Sequence, residues 1–128
     1  KKILLDPLGS GSYIWPSLSP DRTLIAAYDM DRGAFLCNLE GTVVSKLGRI
    51  DSPTWTVSGK WIVYMEDKDD GHQLISSDLF YISPEGTRRG RLTNTPDVFE
   101  LNPQCSAVEK KIVYQSQKGE IFVMTYSE

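Results

Sequence analysis

Three stretches of this chain align with one another without a gap: Pro16 to Ala27, Pro53 to Tyr64 and Pro103 to Tyr114. Each opens on Pro, carries Ser or Thr three residues later and Ile nine residues later. A polar turn separates two apolar pieces in each. Repeats at this spacing restrict a chain to solenoids, propellers and arrays, because each unit must bury its apolar face against a neighbour.

The repetition continues past the aligned blocks. A second apolar run follows each one, Ala34 to Cys37, Leu79 to Ile82 and Ile121 to Met124, with Phe second in all three. Glu40-Gly41-Thr42 and Glu85-Gly86-Thr87 follow the first two runs. β-Branched and aromatic residues dominate the apolar pieces, and Gly, Asp, Asn, Ser and Pro punctuate them. Apolar positions nowhere recur at helical spacing for more than a turn. The reading is all-β, with four short strands A to D per unit and units at about 16–47, 53–93 and 103–124. Pro16, Pro53 and Pro103 are expected at strand starts, where a missing backbone donor does least harm.

The third unit stops after strand C. Leu5 lies eleven residues before Pro16, the same separation as Leu92 from Pro103. Residues 1–6 are therefore expected to form a D-type strand that completes a blade. Three blades are fewer than the usual four to eight of a propeller. The expectation is a fragment or half of a six-bladed ring, with a homo-dimer as one way of closing it.

The chain has 128 residues, 40% of them apolar and 24% charged, which suits one globular domain. A net charge of −3 offers no concentrated basic surface for nucleic acid. The run Arg88-Arg89-Gly90-Arg91 is expected on a solvated outer strand, where charge discourages edge-to-edge pairing. No stretch has the apolar length of a membrane span. No signal peptide is visible and the chain does not begin with Met, so a mature or trimmed form is expected. Cys37 and Cys105 each replace a small or apolar residue of the repeat and are expected as free thiols in the interior.

Leu92-Thr93-Asn94-Thr95, Asn102-Pro103, Lys111-Ile112-Val113-Tyr114 and Gly119 to Met124 together resemble a TolB-type propeller repeat. Ser19-Pro20-Asp21 matches its Ser-Pro-Asp-Gly turn, with Arg22 in place of the Gly. The second and third turns depart from it as Val57-Ser58-Gly59 and Ala107-Val108-Glu109, and the aromatic residue two after Pro is present only as Trp55. The resemblance implies a six-bladed β-propeller in the periplasm or cell envelope of a Gram-negative bacterium. It implies a platform for a protein or peptide partner, or a propeller standing in front of a serine peptidase domain.

In a four-stranded blade the D–A and B–C connections emerge on one face. Here those connections vary while the A–B turns stay short, and variable loops on a rigid scaffold are where binding resides. The D–A loops are read as residues 10–15, 49–52 and 96–102, and the B–C loops as 29–33, 66–77 and 115–119. Partner-binding candidates on this face are Tyr13, Trp15, Arg49, His72, Asp97, Phe99 and Glu100. Tyr13, Trp15 and Phe99 suggest an aromatic rim suited to a peptide or a glycan. Asp67, Asp69 and Asp70 are weak candidates for a hard cation, although their spacing is not that of an EF-hand. Asp29 to Gly33 reads as a turn with Gly in the left-handed position. One histidine, no nucleophile elbow and no zinc-ligand spacing leave no catalytic constellation, and no cofactor is expected.

Overall fold

The computed structural model describes residues 1–128 and contains eleven strands and no helix. β1 (Tyr13–Leu18), β2 (Leu24–Asp29), β3 (Gly33–Asn38) and β4 (Val43–Gly48) form one antiparallel meander. β5 (Asp51–Trp55), β6 (Ile62–Asp69), β7 (Leu74–Ile82) and β8 (Arg89–Arg91) form a second. β9 (Leu101–Cys105), β10 (Lys111–Gln115) and β11 (Ile121–Thr125) form a third, with three strands. The repeat is therefore one meander per unit, as its punctuation implied.

The repeated Ser or Thr shapes the A–B turn. Ser19, Thr56 and Ser106 each donate their amide across the turn to a carbonyl at or just before the start of the next strand, on Leu24, Trp61 and Lys111, at 2.8, 3.0 and 2.9 Å. Their hydroxyls accept amides within the turn: Ser19 from Leu24, Thr56 from Trp61, and Ser106 from Val108 and Glu109. Such side-chain bonds satisfy turn amides that a strand ladder cannot reach.

The three prolines sit inside the A strands and not at their starts. The pairing register slips at Trp15-Pro16 and at Ser52-Pro53, and again where Asn102-Pro103 lies opposite β10. Trp15, Ser52 and Asn102 have φ of 56°, 52° and 53°. A β-bulge explains the placement: the extra residue leaves the ladder, so the next position needs no amide donor and accepts Pro.

Sheets pack face to face. Ala26, Leu36, Leu47, Ile50, Trp55 and Ile62 fill the space between the first and second sheets. The Trp55 indole also donates to the Ser17 carbonyl at 3.0 Å, joining neighbouring A strands. Val63, Leu79 and Ile112 fill the space between the second and third. Ile62 and Val63 thus serve opposite faces of one strand, which is why β6 begins as an unbroken apolar run.

The expected strand at residues 1–6 is not formed, since Lys1–Asp6 pairs with no sheet. Leu5 lies beside Gly41, and Leu8 packs with Tyr13 on the outer face of the first sheet against Ala27, Phe35 and Cys37. The free edge such a strand would join is β11, with two sheets in between. The stretch read as the loop 66–77 is mostly paired: Glu66 faces Asp78, Asp67 faces Ser77 and Lys68 faces Ser76, so only 70–73 turn.

Candidate functional site

The D–A and B–C connections gather at one end of the three meanders. Loop 92–100 leads into β9, and residues 116–120 join β10 to β11. These two loops grip each other. Phe99 donates its amide to Gln117 Oε1 at 2.9 Å, and Gln117 Nε2 donates to the Asp97 carbonyl at 3.2 Å. Asp97 is exposed and Phe99 half-buried, so an aromatic edge and a carboxylate are presented by a loop braced at both ends.

Glu100 is placed differently from its neighbours. It is 1% exposed, its amide donates to the Ser77 carbonyl at 2.9 Å, and the Ser77 hydroxyl donates to its carbonyl at 2.8 Å. It is therefore not on the accessible face. Its Oε2 has no hydrogen-bond partner. Burial is the chief cause of its carboxyl being pushed above the ordinary glutamate value.

In the first sheet the aromatic candidates are half-buried and each is engaged by a neighbouring ring. Tyr13 meets Phe35 edge-on at 5.6 Å, and its hydroxyl donates to Asp6 Oδ1 at 2.6 Å. Trp15 meets Tyr28 edge-on at 5.3 Å. Tyr13, Trp15 and Phe99 are thus not gathered into one rim. Arg49 is exposed in the two-residue link between β4 and β5, and His72 is exposed at the β6–β7 tip.

The acidic tip engages its own backbone. Asp69 Oδ1 accepts the Gly71 amide at 3.0 Å, and Asp70 Oδ1 accepts those of His72 and Gln73 at 2.9 Å each. Asp67 faces Ser77 across the ladder. No group of three or more carboxylate, imidazole or thiol side chains is gathered for a metal ion.

Two features lay beyond the reach of the sequence. Asp29 is buried at the end of β2, pairs with Arg32 at 3.2 Å and accepts the amides of Asp31 and Arg32. Its hydrogen bonds from the Arg32 side chain lead in holding its carboxyl down at about 2. Arg32 also donates to the carbonyls of Leu8 and Gly9, tying residues 6–11 to the B–C turn. Gly33 takes the left-handed conformation expected of it, with φ of 89°.

The second feature is a cleft of about 320 Å³ along the innermost strands, where Trp15-Pro16-Ser17, Ser52-Pro53-Thr54 and Asn102-Pro103-Gln104 face one another. The recurring residue–Pro pair was its only signal. A smaller cavity of about 190 Å³ lies between the second and third sheets, lined by Trp61, Val63, Tyr81, Leu92 and Tyr126 among others. Both thiols are free. Cys37 is buried, while Cys105 is only half-buried, its thiol pushed up to about 12 by burial.

Consecutive antiparallel meanders, here two of four strands and one of three, stacked face to face with their first strands innermost, are the blades of a β-propeller. Solved structures place the blades more closely. A putative TolB from Agrobacterium tumefaciens superimposes with a TM-score of 0.69 at 17% identity, over 93% of this chain and 47% of that one. TolB from Acinetobacter baumannii does so with a TM-score of 0.53 at 16% identity, over 92% and 44%. A structure from a structural and mechanistic study of two prolyl endopeptidases matches with a TM-score of 0.66 at 18% identity, over 99% and 23%. The chain thus has the fold of a TolB-like partial propeller and spans less than half the length of each of these proteins. No family model and no curated protein matches it. No helix is long and apolar enough to cross a membrane.

Proposed function

We propose that this propeller segment is a non-catalytic interaction module that binds a protein or peptide partner through its D–A/B–C face. The observation that carries this reading is the bracing of loop 92–100. A half-buried Phe99 and an exposed Asp97 are held by Gln117 of the neighbouring connection before any partner arrives. Preorganised loops lose less entropy on binding, and a partly exposed aromatic flanked by charge suits an anchor. Arg49 and His72, exposed on the same face, supply charge and hydrogen bonding at its edge. The TolB-like repeat adds a location in the periplasm or cell envelope of a Gram-negative bacterium to the proposal. A second copy is one means of continuing the ring.

The test compares affinity capture from a periplasmic extract by the wild-type chain and by Phe99→Ala. Loss of captured protein by tenfold or more (about 1.4 kcal/mol), with an unchanged melting temperature, is expected. Equal capture by both chains removes Phe99 and this loop from the reading.

A second reading, a propeller segment that screens substrates for an attached serine peptidase, is favoured by the prolyl endopeptidase match across 99% of this chain. A reading frame that encodes a serine nucleophile elbow beside these blades would select it. A glycan partner is the third reading, and binding on a glycan array that Phe99→Ala abolishes would select that one.

A further inference from the structure

Glu100 closes loop 92–100 against the second sheet in an unusual way. Its backbone is bonded twice to Ser77 of β7, so its side chain enters the space between the second and third sheets. No cation meets it there. The group nearest in kind is Asp78 of β7, whose own oxygens are taken by Arg91 of β8 at 2.9 Å and by the Thr95 amide at 3.1 Å. Tyr114 of β10 faces it from the third sheet, and its phenol is pushed up by burial first and then by the Glu100 charge. Only the Thr95 side chain and the residue's own backbone amide favour the ionised form. Arg91 is committed to Asp78, to the Thr93 carbonyl and to the face of the Phe80 ring.

We infer that Glu100 is a protonation-gated latch: as a neutral acid it seats loop 92–100 between the second and third blades, and its ionisation unseats the loop. An isolated carboxylate in this space would lack a counter-charge and would stand beside a second carboxylate, and such groups neutralise or leave. Leaving means breaking the two Ser77 bonds and the Gln117 grip, which lie on either side of Phe99. The latch would therefore control presentation of Phe99 and Asp97, a consequence that rests on the binding role proposed above. The latch itself does not depend on that role.

The sign follows from linkage. Burial first, then the Asp78 charge, raises the seated carboxyl above the ordinary value, so the seated state holds one more proton than the released state between the two values. Seating is complete below about pH 4.3, the ordinary glutamate value, and weakens about tenfold per pH unit until the raised value is passed.

The test is backbone amide exchange on the full chain without a partner, from about pH 4 to pH 8, corrected for the intrinsic rate. Protection of the Val98, Phe99 and Glu100 amides is expected to fall in the wild type as pH rises above about 4.3 and to level off once the raised value is passed, and to stay flat throughout in Glu100→Gln. Flat protection in the wild type, or the same fall in Glu100→Gln, overturns the latch. The carbon-13 carboxyl resonance of Glu100 in the wild type is an independent readout should the variant not fold. A midpoint near 4.3 would overturn the proposal on its own. Neither readout involves a partner, so failure of the binding role would leave both results standing.

Discussion

Arg22 shows how much a single side chain can cost a turn. It holds φ of 64° in the first A–B turn, where the second repeat places Gly59 at 75°. A side chain in the left-handed region crowds its Cβ against the following carbonyl, at about 1–2 kcal/mol, and Arg22 is exposed with no side-chain hydrogen bond to offset it. Arg22→Gly is expected to stabilise the chain by about 0.5–1 kcal/mol, after part of the gain is returned as unfolded-state entropy. Urea unfolding with an unchanged m-value checks this. The sequence already marked Arg22 as a departure from the turn pattern, because turn chemistry is local. Tyr13 and Glu100 were misplaced for the opposite reason. The partners that engage Tyr13 are Asp6 and Phe35, and the one that buries Glu100 is Ser77 on another strand. Neither residue's own neighbourhood encodes that.

Among the elements, the strands were legible wherever both faces or one face of a sheet is buried, since burial writes the alternation. The prolonged β6–β7 hairpin was not. Its outer residues Glu66 to Asp69 are solvated on both faces and carry low strand propensity, so only the ladder to Asp78, Ser77, Ser76 and Leu74 reveals them as strand. Further in, Leu79 joins two roles on β7. Its side chain is fully buried between the second and third sheets. Its carbonyl accepts the amides of Leu92 and Thr93, and its amide donates to the Thr93 hydroxyl oxygen, which fastens the outer strand to its blade. Leu79→Ala removes side-chain volume from a site walled by two sheets that cannot both close in. A loss of about 2–5 kcal/mol is expected, read by chemical denaturation. A smaller loss would mean that the third sheet slides to fill the space, and the amide protection of β10 would then drop with it.

For the molecule as a whole, the two ends of the arc are finished differently. The outer face of the first sheet is covered by Leu8 and Tyr13 over Phe35 and Cys37. The outer face of the third is bare: Val113, Ile121 and Val123 are 43%, 74% and 62% exposed, and β11 has an unpaired edge. Blade stacking puts apolar residues on both faces of every blade, whether or not a neighbour is present. An apolar sheet face beside an open strand edge favours association. The chain alone in solution is therefore expected to exceed its monomer mass of 14.4 kDa at high concentration and to return to it on dilution. Paired Ile121→Lys and Val123→Lys substitutions place two like charges on that face and are expected to hold the mass at the monomer value throughout. Their side chains face solvent here, so the melting temperature of the monomer should move little. Light scattering coupled to size exclusion, run as a dilution series on both chains, reads the difference. A wild-type chain that stays at the monomer mass at every concentration would rule out closure by a second copy, whereas association that survives the lysines would move the contact to another surface.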